Sequence, residues 1–180
     1  MNKTIVLTGP IGVGKSTLAG LLGADLMRPV CTYDVIKDKY RYKIGLSREK
    51  ALEINKNDGA YAMIQYMNEF KSQILEPIIR DHPNHIIDLG AGAHSFDEPD
   101  QIERAKNAFD LVDEVLLLMP SKDLEININS LPGFKENWEV NTYLIMHPTN
   151  NMFATKTIYT HGKTPEEVLR DTKQLLEIEA

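Results

Sequence analysis

Eight consecutive residues, Gly9, Pro10, Ile11, Gly12, Val13, Gly14, Lys15 and Ser16, restrict the fold of this chain more than any other feature. They satisfy the pattern G-x-x-x-x-G-K-[ST], and their surroundings are as informative as their letters. The apolar run Ile5, Val6 and Leu7 reads as a fully buried strand just before them, and Leu18, Leu21, Leu22 and Leu26 follow at helical spacing. A strand that turns at once into a helix through glycines can aim successive backbone N–H groups at one point. Gly9, Gly12 and Gly14 permit that turn because no Cβ stands in the way. The helix N-terminus adds partial positive charge, so the point attracts an anion. In this pattern Lys15 reaches the β- and γ-phosphates of a nucleotide, and Ser16 offers its hydroxyl to Mg²⁺. The residues from Gly9 to Ser16, with Thr17 beside them, are the expected phosphate-binding set. The plain structural alternative is a glycine-rich turn that binds nothing.

Short apolar runs alternate with helical patterns along the rest of the chain, which predicts parallel strands joined by helices. Residues 30–33 read as a second strand, entered at Pro29. Ile86 and Ile87 form a third ending at Asp88, residues 115–118 a fourth, and residues 156–159 a last. Asn57 and Asp58 read as the cap of a helix with the buried stripe Met63, Met67, Phe70 and Ile74, kinked or ended by Pro77. Residues 98–109 and 137–147 read as further helices. Thr164, Pro165, Glu166 and Glu167 open the final helix with a capping box and a proline at its first position. Its expected buried face is Val168, Leu169, Thr172, Leu175 and Leu176. The expected architecture is a doubly wound α/β fold, one domain spanning residues 1–180.

Charge and cysteine usage narrow the setting. The 180 residues carry 20 basic against 26 acidic side chains, a net charge of −6. That balance argues against nucleic acid or an anionic membrane as partner. Cys31 is the only cysteine, which rules out an internal disulfide and suits a reducing compartment. The first apolar run is too short for a signal-peptide core, and no segment reaches membrane-spanning length. The expectation is a cytoplasmic protein, a monomer or weak homodimer, whose partner is a small molecule.

The short P-loop chain, the acidic Asp34 after the second strand, the glycine-rich turn of Gly90, Ala91 and Gly92 after the third, and the Thr164, Pro165, Glu166, Glu167 helix together resemble the shikimate kinase and gluconate kinase group. The tail of residues 158–167 and the preceding His147, Pro148, Thr149 and Asn150 are similar to those of shikimate-kinase-like ATPases of undefined substrate. The resemblance implies a nucleoside-monophosphate-kinase-like P-loop NTPase fold, with a parallel sheet of order 2-3-1-4-5 flanked by helices. It also implies ATP and Mg²⁺ as cofactors, and transfer of the γ-phosphoryl group to a small-molecule hydroxyl.

Residue by residue, the resemblance makes Asp34 the base or acceptor anchor; the alternative is a helix N-cap ahead of Val35 and Ile36. The first acid of the group's acidic pair falls at Thr32, a departure that weakens metal coordination there. Asp88 would hold Mg²⁺ with Ser16, or serve as a strand-end carboxylate satisfied by backbone N–H groups. Gly90 and Gly92 would approach the acceptor, or form a plain tight turn. Gly162, Thr164 and Pro165 map to the loop that packs on adenine, and His147 and Asn150 to the site's lining. The strip Lys37, Lys39, Arg41 and Lys43 faces either an anionic substrate or solvent.

The departure from the group lies in the expected lid, residues 121–142. It contains no arginine, and its only bases are Lys122 and Lys135. Lys71 stands roughly where a substrate arginine is expected, and lysine lacks the planar bidentate fork. Shikimate is therefore not the expected acceptor, with the alternative that Arg41 and Arg48 fold over the acceptor pocket. Two other readings remain: an ATP-binding regulatory module with weak ATPase activity, and a nucleoside or nucleotide kinase, which needs several lid arginines.

Overall fold

The computed structural model describes residues 4–131 and 138–178. Alternation within its strands decides how the layers assemble. β1 (Ile5–Thr8) is the central strand, and helix α1 (Lys15–Asp25) follows the glycine-rich turn. β2 (Val30–Thr32), α2 (Tyr33–Ile44), α3 (Arg48–Asp81), β3 (Ile86–Asp88), α4 (Pro99–Phe109) and β4 (Glu114–Met119) come next. α5 (Leu124–Ser130), α6 (Trp138–Met146), α7 (Asn150–Phe153), β5 (Lys156–Tyr159) and α8 (Pro165–Leu175) complete the described chain. The sheet order is β2-β3-β1-β4-β5 with every pairing parallel, the order that the resemblance implied.

Val6, Cys31, Ile87 and Val115 turn to one face of the sheet, where Ile74, Leu75 and Ile78 of α3 and Ala108 and Phe109 of α4 cover them. Ile5, Leu7, Ile86, Leu116 and Leu118 turn to the other, under Leu18 and Leu22 of α1 and Val168 of α8. Burial on both faces explains why these strands read as continuous apolar runs. The register sets Asp88 beside Leu7 of β1 and Thr32 of β2, at the carboxyl edge where ligands of such sheets gather.

Several local expectations need correction. Asp34 is not a helix cap: β2 stops at Thr32, which occupies the N-cap position, and Asp34 lies within the first turn of α2. A helical stretch that the sequence reading did not include begins at Arg48, where Ser47 supplies a cap by accepting a bond from Lys50 N at 3.1 Å. Gly59, at φ 88° and ψ 174°, breaks α3 in two, and the second stretch, which carries Met63, Met67, Phe70 and Ile74, follows it close to the expected start at Asn57 and Asp58. The helix also runs past Pro77 to Asp81. One lost N–H bond there is outweighed by the burial of Ile74, Leu75, Ile78 and Ile79 on either side of it. Met63 and Met67 are only partly buried, and Leu175 is 40% exposed. α5 and α7 had no clear signal in the sequence. The capping box of α8 is present, with Thr164 Oγ1 accepting from Glu167 N at 3.2 Å and Glu167 Oε2 accepting from Thr164 N at 2.8 Å. No described helix is long and apolar enough to cross a membrane.

Packing leaves no room for a side chain where β1 leaves the sheet. Gly9 has φ 140°, and a Cβ on it would stand 2.3 Å from the carbonyl oxygen of Leu118. That neighbour is strand backbone and cannot swing aside. Gly9→Ala should therefore cost about 3 kcal/mol from clash and backbone strain together. Urea unfolding should show a lower midpoint at unchanged slope, and a loss below about 0.5 kcal/mol would contradict this packing.

Candidate active site

Three left-handed or glycine-only conformations shape the 9–16 loop: Gly9 at φ 140°, Gly12 at φ 80° and Gly14 at φ 99°. The loop curls around Lys15, whose ammonium donates to Gly9 O at 3.0 Å and Pro10 O at 2.7 Å. Lys15 is only 7% exposed. Burial pushes its pKa down to about 8, against the opposing pull of Asp88 and then Asp34. Two of the three ammonium protons are engaged by the loop, so the charge stays inside the turn with one donor left for an anion. The loop has a further support that the sequence did not announce. Asn141 of α6 is fully buried and accepts a bond from Ile11 N at 2.9 Å.

At the first turn of α1, the Ser16 hydroxyl donates to Asp88 Oδ2 at 2.5 Å, while Asp88 Oδ1 accepts from Gly90 N at 3.0 Å. Asp88 is thus a backbone-satisfied strand-end carboxylate and a partner of Ser16 at once. Among the described residues no cluster of three or more His, Cys, Asp or Glu converges. A hydroxyl and one carboxylate are hard oxygen donors and fit Mg²⁺, which keeps several waters and binds substrate phosphates rather than a full protein cage.

Beside this edge opens a cavity of about 680 Å³. Its lining combines Asp34, Lys37, Asp38, Arg41, Arg48 and Lys71 with the apolar Leu46, Leu52, Met63 and Met67, and Ile11, Gly90 and Ala91 complete it. Asp34 is exposed and pairs through Oδ1 with Lys37 at 2.6 Å. Lys71 is partly buried, and burial and the nearby Arg41 push its pKa down to about 8, opposed by Asp34. Its ammonium lies 3.4 Å from Ala91 O and 3.3 Å from where a Cβ on Gly92 would stand. The cavity therefore unites Asp34, Lys71 and Gly90, with Gly92 directly behind Lys71.

No family model matches the sequence, and no curated protein matches it. Solved structures do. Shikimate kinase from Acinetobacter baumannii, determined in complex with shikimate, aligns over 97% of this chain and 93% of its own at TM-score 0.63 and 16% identity. A gluconokinase from Sinorhizobium meliloti aligns over 98% and 92%, at TM-score 0.52 and 11% identity. The APS kinase of Mycobacterium tuberculosis aligns over 97% and 96%, at TM-score 0.54 and 14% identity. This chain has the fold of the P-loop small-molecule kinases.

On the far side of the P-loop turn, Gly12, Gly14 and Thr17 line a second cavity of about 190 Å³ together with Thr160, Lys163 and Pro165. Pro165 thus stands where the adenine loop was expected. Gly162, at φ 73°, shapes that loop without lining the cavity, and Thr164 is committed to the capping box. Thr160 and Lys163 were not singled out by the sequence, and nothing in their spacing could have done so.

His147 and Asn150 line neither of these two cavities but border a third, of about 330 Å³, together with Ser121, Lys122 and Tyr159. His147 Nε2 meets Asp97 Oδ1 at 3.0 Å and its Nδ1 meets Thr149 Oγ1 at 2.6 Å. Asn150 donates to the carbonyls of Leu144 and Ile145 at 2.8 and 3.0 Å, closing the end of α6. Of the basic strip, Lys37 and Arg41 reach the large cavity, while Lys39 pairs with Asp81 at 3.5 Å. The Lys43 side chain and Lys135 lie outside the described residues.

The depressed Lys15 sets a pH signature. Between pH 8 and about 10 the unfolded chain still holds the proton that folded Lys15 has released, so stability contributed by this residue rises with pH. Cys31, pushed up to about 11 by burial, works in the opposite sense above pH 9. Comparing wild type with Lys15→Met isolates the lysine. The wild type should gain about 2 kcal/mol relative to the variant between pH 7 and pH 10. Parallel stability curves for the two proteins would contradict the burial of this charge.

Proposed function

We propose that the chain is an ATP-dependent phosphotransferase acting on a hydroxyl of a small molecule. The observation that carries this reading is the continuity of one edge of the sheet. Lys15, Ser16 and Asp88 stand at the ends of β1 and β3, and the cavity containing Asp34 and Gly90 opens beside them. In this reading residues 9–17 cradle the ATP phosphates, and Pro165 with Gly162 and Thr164 forms the adenine side. Ser16 and Asp88 would hold Mg²⁺, which neutralises phosphate charge when bound. Asp34 Oδ1 is engaged by Lys37, leaving Oδ2 for the acceptor. The acceptor hydroxyl gives its proton to Asp34 as its oxygen bonds to the γ-phosphorus. The bond from that phosphorus to the bridging oxygen breaks, and ADP leaves with the electron pair. Lys15 and the loop N–H groups meet the charge that develops on the transferred group. Residues 121–142 serve as the lid of a single domain spanning residues 1–180, in a protein of the cytoplasm.

The fold supports the kinase class, and the missing arginine of residues 121–142 is the feature that favours a regulatory ATP-binding module instead. ADP release measured across a panel of hydroxylated metabolites separates them. Stimulation by one class of compound is expected, while a flat, slow background across the panel would leave the regulatory reading. Lys15→Ala should lower affinity for a non-hydrolysable ATP analogue at least about tenfold with an unchanged circular dichroism spectrum. Asp34→Asn should cut turnover by at least ~10²-fold with nucleotide affinity unchanged. An Asp34→Asn protein with normal turnover would remove Asp34 from the reaction.

A further inference from the structure

The large cavity carries more positive charge than its own acids can neutralise. Among the described residues four cations line it, Lys37, Arg41, Arg48 and Lys71, against two carboxylates, Asp34 and Asp38, so two positive charges are left over. Among these residues only Lys37 is ion-paired, with Asp34. Arg41 donates to the hydroxyl of Tyr33 at 3.2 and 3.3 Å and lies over its ring, neutral contacts that orient the guanidinium without cancelling it. Lys71 has only the Ala91 carbonyl at 3.4 Å, and Arg48 forms no ion pair among the described residues. A partly buried ammonium facing a guanidinium is an unfavourable arrangement that a bound anion relieves.

The same cavity has a second, apolar component. Leu46, Leu52, Met63 and Met67 line it, and Leu52 is 57% exposed although it stands over the cavity. Met63 and Met67 belong to the second stretch of α3 and Leu52 to the first, so the break at Gly59 lets both stretches contribute. Flexible methionine side chains adapt to a flat apolar body. The volume of about 680 Å³ suits a ligand of drug-like size rather than a bare anion.

We propose that this cavity selects an acceptor carrying a dianionic phosphomonoester on a flat apolar or aromatic body, the ester held by Arg41, Arg48 and Lys71 and the body by the Leu52, Met63 and Met67 wall. The charge count decides the class. A dianion neutralises the two surplus charges, and a monocarboxylate leaves one unmet. A polyhydroxylated acid would also leave the apolar wall against water or polar groups. The proposal rests on the phosphotransferase reading only in naming this ligand the acceptor. In that arrangement a hydroxyl elsewhere on the same molecule faces Asp34 and Gly90.

Isothermal titration without nucleotide tests it, using 1-naphthyl phosphate, 1-naphthoate and inorganic phosphate as probes. The aryl phosphate should bind at least about tenfold tighter than either comparator. Arg48→Ala, an exposed change that leaves the core untouched, and Lys71→Met should each weaken it about tenfold or more. Both variants should bind a non-hydrolysable ATP analogue within about twofold of wild type, which separates this cavity from the 9–16 loop. Equal affinity for naphthoate and naphthyl phosphate would overturn the proposal, as would variants that bind the aryl phosphate normally. If the aryl phosphate behaves as expected but the ATP analogue does not bind, the anion site stands and the phosphotransferase reading fails. If the analogue binds and the aryl phosphate shows no preference, this inference alone fails.

Discussion

Gly9 leaves β1 so close to β4 that a Cβ would sit 2.3 Å from the carbonyl oxygen of Leu118, and this contact sets the course of everything that follows it. The chain must turn out of the sheet there, and the turn closes on the Lys15 ammonium through the Gly9 and Pro10 carbonyls. Asn141 then ties the outer side of the loop to α6 through the Ile11 backbone. The same helix carries Tyr143, which donates to Asp97 at 2.9 Å, and Asp97 also binds Gln65 of α3 and His147. Thr149 links His147 to the His94 carbonyl at 2.5 Å, just beyond the 90–92 turn. Hydrogen bonds and the α6 backbone together thus tie the loop to the segment that follows the 90–92 turn. His147 belongs to this set, and Asn150 closes the end of α6 beside it.

Electrostatics along the same edge follow from burial. Lys15 and Lys71 are both pushed down to about 8, in each case chiefly by burial, and Asp34 pulls both back toward the charged form. Asp34 is therefore electrically between the two lysines, and it is ion-paired with Lys37. Among the described residues neither lysine has a carboxylate in contact, so each keeps most of its cost of desolvation. An anion at either position offsets that cost, which makes ligand binding the condition under which this edge becomes comfortable. A stability optimum is not what this arrangement serves.

What could be read from the sequence was what depends on neighbours in the chain. The 9–16 loop, the β4 run and the α8 capping box are local patterns, and each is present in the structure as expected. The sheet order came from resemblance, since no periodicity states which strands lie side by side. Corrections concentrate in the connection from β2 to β3. Ser47 caps a first stretch of α3 that the sequence reading did not include, and the backbone of Gly59 separates it from the second, which starts near Asn57 and Asp58. Pro77 marks a helix end in isolation, but burial of the isoleucines around it carries the helix one turn further. Asn141, Thr160 and Lys163 have no local signature, because each acts on a loop more than a hundred residues away in sequence.

Arginine supply shows most clearly how tertiary structure changes a sequence argument. Counting within residues 121–142 finds none, and from there the acceptor site looks poor in guanidinium groups. Yet Arg41 near the end of α2 and Arg48 at the start of α3 both line the large cavity, brought there by the short turn at Gly45, which takes the left-handed φ of 78°. The site is thus cationic by a different route, from the acceptor side rather than from a lid. That shift separates two roles that arginine can fill. Guanidinium groups over the transferred phosphoryl lower its barrier, whereas groups that line the acceptor cavity orient the acceptor and set its charge. The described cavity is equipped for the second role, and Lys15 with the loop N–H groups remains the supply for the first. Binding energy at the acceptor end can still hasten transfer, because it is available to hold the hydroxyl against Asp34.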